Sequence, residues 1–527
     1  MNYNEVKSRL WSNAVSNYLR TAIATIVGLV TFRLLYQSLS REEFGFWALL
    51  WSVFGYGVLL DFGLGFAAQK RVAELSVHRD WPELSRVLSS ILALYSGIAV
   101  AIAGVVWIGS PWMVKWFHVS AENETAFRWL LVLFFTGVGL AFPMGLFPEI
   151  LRGQQRIRLA NHLISAALVL RLILIGAAVF WGWGFLWIMV IALVLALAPD
   201  VLAAFFALRS MPGVRLHPRH ISWRSMKQTA GFSVFAYIST ATNLILGKTD
   251  QLLIGATLGV GAVAVYQAGA RVADVFSQFT RQIQDALSPA AAHLHASADR
   301  AALRDLLVQS LRWSVLLATP LYLLSAFHLD DLLLLLTGEE VVPTAMFWTG
   351  QVLLGWFYTT LLTHSVSKRI FMMTGHHRRL MKLGTVEAVA NVALSLTLVL
   401  VFKSVVAVAV GSLLPTLFIG WVHLWPWIAR ESGLTPVSLL RRAVLPVLVA
   451  CVPMLLVQVT AQHLGVFSGN HALIRVAVEG GAAGAVGALC LWRWVLRGHE
   501  RVFILRRLPF LGRFASMTVS TPTTQPA

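Results

Sequence analysis

Long apolar segments recur along almost the whole of this 527-residue chain, and this pattern restricts it to one kind of fold. A run of about 20 apolar residues has the length of a transmembrane helix, because the hydrocarbon core of a bilayer is about 30 Å thick. Inside that core every backbone N–H and C=O must be bonded internally, which an α-helix achieves within one segment. The composition, 57% hydrophobic and 13% charged, also excludes a soluble enzyme of this size. The sequence therefore predicts an all-α, polytopic membrane protein.

The apolar segments predict about fourteen transmembrane helices. We place them near residues 12–37, 44–68, 88–108, 127–150, 159–181, 183–208, 229–256, 262–287, 312–336, 344–367, 383–402, 404–427, 441–462 and 472–495. Alternate loops and both termini are rich in Lys and Arg, whereas the opposite loops have little beyond Arg41, Lys115, Lys403 and Arg475. By the positive-inside rule both termini are cytoplasmic. This distribution explains most of the formal net charge of +18 without a nucleic-acid partner.

An internal repeat relates two halves of the chain. Equivalent helices carry matching residues at one common sequence offset: Gly153 and Gly375, Arg156 and Arg378, Phe180 and Phe402. Because the repeat contains six helices, an even number, its copies share an orientation and an axis along the membrane normal, with a cleft between them. We therefore predict an N-terminal six-helix bundle at 1–210, a C-terminal six-helix bundle at 211–430, two extra helices at 431–496 and a basic, disordered cytoplasmic tail at 497–527.

A polar stripe runs along the eighth predicted helix. On a helical wheel, one sector of about 60° contains Gln267, Arg271, Asp274, Gln278, Arg281, Gln282 and Asp285. Each charge facing the bilayer centre would cost at least ~2.5–3.5 kcal/mol, so the stripe must face other helices or water inside the protein. One interpretation is a buried seam of ion pairs, because Arg271 with Asp274 and Arg281 with Asp285 have i,i+3 and i,i+4 spacing. The interpretation we favour is the wall of a hydrophilic transport cavity.

The first and seventh predicted helices, which the repeat makes counterparts, each have one polar face. The face of the first helix contains Asn13, Asn17, Arg20, Gly28 and Thr31, and that of the seventh contains Ser233, Tyr237, Thr240, Lys248 and Gln251. Arg33 points the opposite way and lies near the outer interface, where a long basic side chain can reach water. Asp250 lies off the polar face. Since i,i+2 residues do not meet along a helix, we expect Lys248 and Asp250 to have different partners.

The charges of these helices indicate the sign of the cavity. The basic residues are Arg20, Arg33, Lys248, Arg271 and Arg281, and the acidic residues are Asp61, Asp250, Asp274 and Asp285. The cavity is therefore weakly cationic and favours an anionic substrate, and arginine can hold phosphate oxygens bidentately. Asp61 has two interpretations, a helix–helix hydrogen-bonding site or a counter-ion for Arg20. We expect other intramembrane polar residues, including Glu387 with Asn391, to form structural pairs.

Three short motifs resemble one known family. They are Ser40-Arg41-Glu42-Glu43-Phe44-Gly45-Phe46-Trp47, Leu60-Asp61-Phe62-Gly63-Leu64-Gly65 and Arg152-Gly153-Gln154-Gln155-Arg156. They are similar to the polysaccharide-transport (Wzx-type O-antigen flippase) branch of the multidrug/oligosaccharidyl-lipid/polysaccharide flippase superfamily. The resemblance implies two six-helix bundles around a central cavity in the bacterial inner membrane. It also implies alternating access that moves a polyprenyl-diphosphate-linked oligosaccharide from the cytoplasmic to the periplasmic leaflet, for O-antigen and lipopolysaccharide synthesis.

The candidate roles follow from this implied substrate. The cationic residues would pair with the diphosphate: Arg20, Lys248 and Arg271, with Arg281 and Arg33 completing the set. Hydrogen bonds to sugar hydroxyls would come from Asn13, Asn17, Tyr237, Gln267 and Gln278. Coupling to an ion gradient would use a desolvated carboxylate that takes up a proton, with Asp61, Asp250, Asp274 and Asp285 as candidates. Membrane lipids and other polysaccharide-assembly proteins are the remaining expected partners.

Three other functions remain as alternatives. A multidrug/cation antiporter of the same superfamily would need a net acidic cavity. A membrane polysaccharide polymerase or ligase would need catalytic residues in a sizeable periplasmic loop, and the loops on that face are short. A scaffold for other assembly proteins would not need the polar stripe. No phosphate-binding loop of the GxxxxGK(S/T) type occurs, so we expect no ATP-driven pumping by this chain. The His293-x-His295 and His376-His377 motifs have no Cys, Asp or Glu at ligand spacing, so we expect no metal site. We also expect no enzymatic activity and no cofactor.

Overall fold

The computed structural model describes residues 3–222, 234–285, 291, 294–295, 299–465, 471–498 and 500–502. Within these ranges the side chains of 3–15, 58, 77, 234–239 and 279–285 are not described. The described backbone is almost entirely helical and contains no strand. The predicted all-α, polytopic fold is therefore confirmed.

The helices of residues 3–222 are α1 (Tyr3–Ser38), α2 (Arg41–Gly55), α3 (Gly57–Leu60), α4 (Leu64–His78), α5 (Trp81–Trp116), α6 (Glu124–Gly153), α7 (Ile157–Phe180) and α8 (Phe185–Arg209). Further along the chain are α9 (Val234–Leu258), α10 (Val260–Asp285), α11 (Arg300–Phe327), α12 (Leu329–Thr337), α13 (Thr344–Thr360), α14 (Val366–Met373), α15 (His377–Phe402) and α16 (Val405–Phe418). The last described helices are α17 (Trp425–Glu431), α18 (Pro436–Leu439), α19 (Leu445–Leu464), α20 (Ala472–Arg475) and α21 (Gly481–Cys490).

Several long helices of the C-terminal half contain π-helical segments, in which the backbone bonds run i→i+5. The described π segments are Leu361–Ser365, Ile419–Leu424, Leu440–Val444, Val476–Gly480 and Leu491–Val495. They join neighbouring α-helices into continuous spans. For example, α16, one π segment and α17 form the single apolar helix Val405–Glu431.

Ten helical segments of the described chain are long and apolar enough to cross a bilayer. They are Ser16–Ser38, Trp81–Trp116, Glu124–Gly153, Ile157–Phe180, Phe185–Arg209, Arg300–Phe327, His377–Phe402, Val405–Glu431, Pro436–Leu464 and Ala472–Val495. These ten coincide with ten of the predicted spans. The other four predicted spans, 44–68, 229–256, 262–287 and 344–367, are helical where described but shorter, interrupted or more charged.

The second predicted span is interrupted in its middle. Phe62 and Gly63 have φ values of 50° and 75°, and a left-handed residue cannot continue a right-handed helix. These two residues therefore separate α3 from α4, and Asp61 lies directly before them. The separate division between α2 and α3 is at Tyr56, which has right-handed dihedrals. At its start α2 has a capping box, in which Ser40 and Glu43 satisfy each other's backbone N–H groups.

The described chain divides into two compact units. The first contains Met1–Val275, Leu333–Trp356 and Gly375–Ile419. Within it α5 packs on α6, α6 and α7 on α8, α1 on α7, and α9 on both α2 and α15. One apolar core cluster joins α4, α5, α6 and α8, and another joins α2, α5, α6, α8 and the start of α10. The division predicted from the repeat, 1–210, 211–430 and 431–496, stays a prediction.

The second unit contains Phe276–Leu332, Phe357–Thr374 and Gly420–Ala527. Within it α19 packs on α11 and α21. Arg312 of α11 and Glu500, both buried, form a bidentate pair, with Nη1–Oε1 and Nη2–Oε2 distances of 2.8 and 2.9 Å. Arg312 also donates to the carbonyl oxygen of Val495, and Glu500 accepts from the backbone N–H of Arg497. Of the predicted tail, 497–527, most lies outside the described residues.

The close approach of α2 and α10 gives a stability prediction. A Cβ atom on Gly45 would collide with the backbone carbonyl oxygen of Val260. We expect Gly45→Ala to destabilise the protein by at least about 1–3 kcal/mol, because the helices must separate to admit the methyl group. Thermal unfolding in detergent measures this loss. Gly97→Ala in α5 is the matched control, since no atom lies within 4 Å of its added Cβ. An unchanged melting temperature for Gly45→Ala would contradict the close approach.

The Arg312–Glu500 pair gives a pH prediction. Burial raises the pKa of the Glu500 carboxyl, but hydrogen bonds from Arg312 and the Arg497 N–H outweigh this and lower the pKa below its usual value. The pair therefore stabilises the folded protein above the ordinary carboxyl pKa, and the contribution is lost as the pH falls through the lowered value. We expect Glu500→Gln to reduce stability at neutral pH and to make the acid-induced loss shallower. Melting temperatures of the parent protein and of Glu500→Gln, measured from pH 3 to 7, test this. Equal decreases in the two melting temperatures as the pH falls would contradict it.

Candidate functional site

Arg271 brings the polar stripe of α10 against α1. A Cβ atom on Gly28 would lie 2.5 Å from an Nη atom of Arg271, so the guanidinium group occupies the space that a side chain would fill. The Nε atom of Arg271 is buried and has no acceptor among the described residues. Asp274 interacts with it electrostatically, but the two do not form a direct salt bridge in the described structure. The stripe thus faces a neighbouring helix at this point.

The polar face of α1 contains further polar atoms without partners. Arg20 Nε and Thr31 Oγ1 are both buried and form no hydrogen bond within the described part of the chain. Asn17, predicted to line the cavity, instead accepts a 2.7 Å hydrogen bond from Asn161 of α7. Asn161 also donates to Ser16 at 3.1 Å, so this end of the face holds α1 on α7. The unpartnered groups lie further along α1, towards the Arg271 contact.

Lys248 and Asp250 have different surroundings, as their i,i+2 spacing requires. The alkyl chain of Lys248 lies against Gly55 of α2, with carbon atoms 3.6–3.8 Å from a Cβ placed there. The backbone oxygen of Lys248 accepts a hydrogen bond from Ser52 of α2 at 3.2 Å. Asp250 is 5% exposed and points into the protein, away from this contact.

Asp250 is the centre of a buried network that joins four helices. Its Oδ2 atom accepts hydrogen bonds from Tyr266 of α10 at 2.5 Å and from Ser412 of α16 at 2.8 Å. Ser412 in turn accepts from the Asn391 amide of α15 at 2.7 Å. The Oδ1 atoms of Asp250 and Asn391 are buried without a donor among the described residues. Buried acceptors are normally bonded, so these two oxygens keep acceptor capacity that no described residue uses.

A second buried carboxylate is that of Glu387, which lies one helical turn before Asn391 on α15. Glu387 is 2% exposed. It accepts a hydrogen bond from Thr416 of α16 at 2.8 Å, and Thr416 accepts one from Trp356 of α13 at 2.9 Å. We call Asp250, Tyr266, Ser412, Asn391, Glu387 and Thr416 the buried acidic network.

The sequence pointed to only part of this network. Asp250 was a candidate, but Ser412 and Thr416 were not singled out, and Glu387 with Asn391 was interpreted as a structural pair. The signal in the sequence is the i,i+4 spacing of Glu387 with Asn391 and of Ser412 with Thr416, which places two polar groups on one face of each helix.

The remaining predicted residues are scattered. Gln267 accepts a hydrogen bond from Gln251, which links α9 and α10 within the first unit. Gln278 is partly exposed and lies in the second unit. Arg33 is exposed and donates to the carbonyl oxygens of Leu334 and Leu335 at the end of α12. The Leu334 carbonyl also accepts from the Gly338 N–H at 2.8 Å, so Arg33 adds a second donor to it at the end of α12.

Asp61 follows the first of its two interpretations. It accepts hydrogen bonds from the Tyr95 hydroxyl of α5 and, at 3.2 Å, from the backbone N–H of Gly65. It forms no ion pair with Arg20 in the described structure. The predictions for Asn13, Tyr237, Arg281 and Asp285 concern side chains outside the described residues.

Solved structures with a similar fold are membrane transporters. An inward-facing multidrug resistance MATE family transporter of the MOP superfamily aligns with a TM-score of 0.62 and 16% identity, over 81% of this chain and 99% of that one. An outward-facing transporter of the same description aligns with a TM-score of 0.54 and 16% identity, over 82% of this chain and 96% of that one. A MATE in its straight conformation aligns with a TM-score of 0.52 and 16% identity, over 82% of this chain and 97% of that one. At these identities the likeness shows the fold, which is MATE-like.

Sequence comparison identifies the family. No curated protein matches the chain significantly. Residues 10–295 match the family model described as "Polysaccharide biosynthesis protein", which confirms the branch that the short motifs resemble. Because the matched segment is more than half of the sequence, this chain belongs to the polysaccharide biosynthesis protein family.

Proposed function

We propose that this protein moves a polyprenyl-diphosphate-linked oligosaccharide from the cytoplasmic to the periplasmic leaflet of a bacterial inner membrane by alternating access. The glycan would serve surface polysaccharide synthesis, such as that of the O-antigen of lipopolysaccharide. A diphosphate and its sugars cannot cross hydrocarbon unaided, because their polar groups lose water there without replacement. The observation that carries the proposal is the Arg271 guanidinium group against Gly28, with a buried Nε atom that has no acceptor in the described structure.

Three cations of the first unit fit this substrate. Arg20 of α1, Lys248 of α9 and Arg271 of α10 form no direct salt bridge within the described part of the chain. The three residues are half-buried, and the Nε atoms of Arg20 and Arg271 are buried without an acceptor among the described residues. Cations that are partly removed from water attract an anion more strongly than cations in bulk water do. A diphosphate supplies that charge, and Gln251 and Gln267 lie on the same helices as hydrogen-bonding groups for sugars.

The buried acidic network supports coupling to an ion gradient. A proton on Asp250, or a sodium ion bound to oxygen atoms, would satisfy the unpartnered oxygens of Asp250 and Asn391. Asp274 and Asp285 remain further candidates. Asp61 is less suited, because its hydrogen bonds to Tyr95 and Gly65 explain it as a contact between helices.

The membrane arrangement is part of the same proposal. The repeated bundles 1–210 and 211–430 would enclose the cavity, the two extra helices of 431–496 would lie beside them, and both termini would be cytoplasmic. Membrane lipids and other polysaccharide-assembly proteins would be the further partners. The proposal needs no cofactor and no nucleic acid.

A multidrug/cation antiporter is the second candidate. The MATE-like fold and the buried carboxylates of Asp250 and Glu387 favour it. The cations Arg20, Lys248 and Arg271 oppose it, because they would repel a cationic drug at short range.

Leaflet transfer by Arg271 variants tests the substrate. In proteoliposomes that contain a labelled polyprenyl-diphosphate sugar, we expect Arg271→Ala to slow transfer at least about tenfold. A hydrogen bond to a charged group contributes about 1.5–3 kcal/mol, and tenfold corresponds to about 1.4 kcal/mol. Arg128→Ala is the matched control, since Arg128 is an exposed arginine of α6 that donates to Ser110 and lies over the Trp129 ring. Equal transfer rates in both variants would contradict the role of Arg271.

Gradient dependence tests the buried acidic network. We expect Asp250→Asn to remove the acceleration of transfer that an imposed proton or sodium gradient produces, because the amide cannot exchange a proton or hold a cation by charge. Imposing each gradient separately identifies the ion. Asp61→Asn is the control, and we expect it to keep the gradient dependence. Full gradient dependence in Asp250→Asn would assign coupling elsewhere.

A further inference from the structure

The corner between α1 and α2 is bonded to the loop between α12 and α13. The Tyr36 hydroxyl donates to Glu339 Oε1 at 3.1 Å, and an Nη atom of Arg41 donates to the same oxygen at 3.0 Å. One carboxylate therefore bonds two side chains on either side of the helix corner. The other carboxylate oxygen, Oε2, is buried and has no donor among the described residues.

The same two segments also pack closely beside the carboxylate. Arg33 donates to the last carbonyl oxygens of α12, at Leu334 and Leu335. Gly338 has a φ of +72° and carries no Cβ, and a Cβ there would collide with the Gln37 amide and lie 3.3 Å from Arg33. Glycine adopts a positive φ readily and has no Cβ to collide with the Gln37 amide, so it suits this position better than other residues.

The contact connects the two sequence repeats. Tyr36 and Arg41 belong to the predicted first repeat, and Glu339 belongs to the second. All three lie in the first compact unit of the structure. Arg41 and Glu339 stand in loops of the face that has few basic residues, opposite the termini. In the proposed orientation this face is periplasmic.

We propose that Arg33, Tyr36, Arg41 and Glu339 form an outer latch that closes the periplasmic exit between the two repeats. This inference rests on the proposed function, because it takes the exit to lie where that function requires it. The headgroup leaves towards the periplasm only after the bonds to Glu339 have broken. The structure therefore shows the state in which the periplasmic exit is closed.

The strength of the contact suits a gate that opens repeatedly. Arg41 is 61% exposed at its side chain and Glu339 is 20% exposed, and ion pairs that water reaches contribute little to stability. Two states of similar free energy can exchange when only a few such contacts separate them. The latch therefore biases the closed state without making it permanent.

Glu42 provides a matched control beside Arg41. Its carboxylate accepts hydrogen bonds from the Ser120 N–H and hydroxyl and from the Asn123 amide, at 2.6, 2.8 and 2.7 Å. Burial raises the pKa of Glu42, but these hydrogen bonds outweigh burial and lower it. All of these contacts stay within the first repeat. Changing Glu42 perturbs the same helix corner without touching the contact between repeats.

The test measures access from the periplasmic side. Cys451 and Cys490 are replaced by serine, and Thr31→Cys on the polar face of α1 is the reporter. A membrane-impermeant maleimide is added outside right-side-out vesicles. We expect Arg41→Ala and Glu339→Gln to raise the labelling rate of the reporter at least about threefold. Glu42→Gln should leave the rate at that of the parent.

Charge reversal distinguishes a specific bond from general loosening. Arg41→Glu should raise the labelling rate, and the double variant Arg41→Glu/Glu339→Arg should return it towards the parent value. Parent-like rates in the single variants would overturn the latch, as would a double variant that labels as fast as Arg41→Glu. Melting temperatures of all variants confirm that each protein is folded.

Labelling does not depend on the substrate, so the latch and the proposed function can fail separately. If labelling responds as expected but the parent protein does not transfer a polyprenyl-diphosphate sugar, the latch stands and the substrate is wrong. If the parent transfers the lipid but labelling does not respond, the latch is wrong and the function stands.

Discussion

A guanidinium group within a membrane protein must find polar surroundings, because hydrocarbon offers its charge no stabilisation. Arg271 lies in the space over Gly28, where the missing side chain lets α10 approach α1. Its Nε atom is buried and has no acceptor among the described residues. In the proposed function, a bound anion would supply that acceptor.

The first unit keeps its cations and its buried carboxylates apart. On α9, Lys248 faces α2 while Asp250, two residues later, faces α10 and α16. In the proposed function, a site for an anionic headgroup and a site for a proton or cation would thus share one helix without neutralising each other. Movement of α9 would then change both proposed sites at once and would couple ion binding to substrate movement.

Hydropathy and charge predicted the helices, because the bilayer sets their length and the excess of Lys and Arg sets their orientation. Helical periodicity placed Arg271 on a face that meets another helix, and it separated Lys248 from Asp250. Periodicity does not identify the partner of a face, so the bonds from Asp61 to Tyr95 and from Arg33 to the end of α12 were not foreseen. The left-handed residues Phe62 and Gly63, which divide the second predicted span, leave no mark in hydropathy.

The π segments change the phase of the helices that contain them. A π turn holds one residue more than the regular turn, so each side chain beyond it is rotated by about 100° from the direction that the preceding residues indicate. Leu361–Ser365 is such a segment, and His364 within it is 1% exposed. A helical wheel for that span has to be drawn twice, once for the residues up to Thr360 and again from Val366 onward.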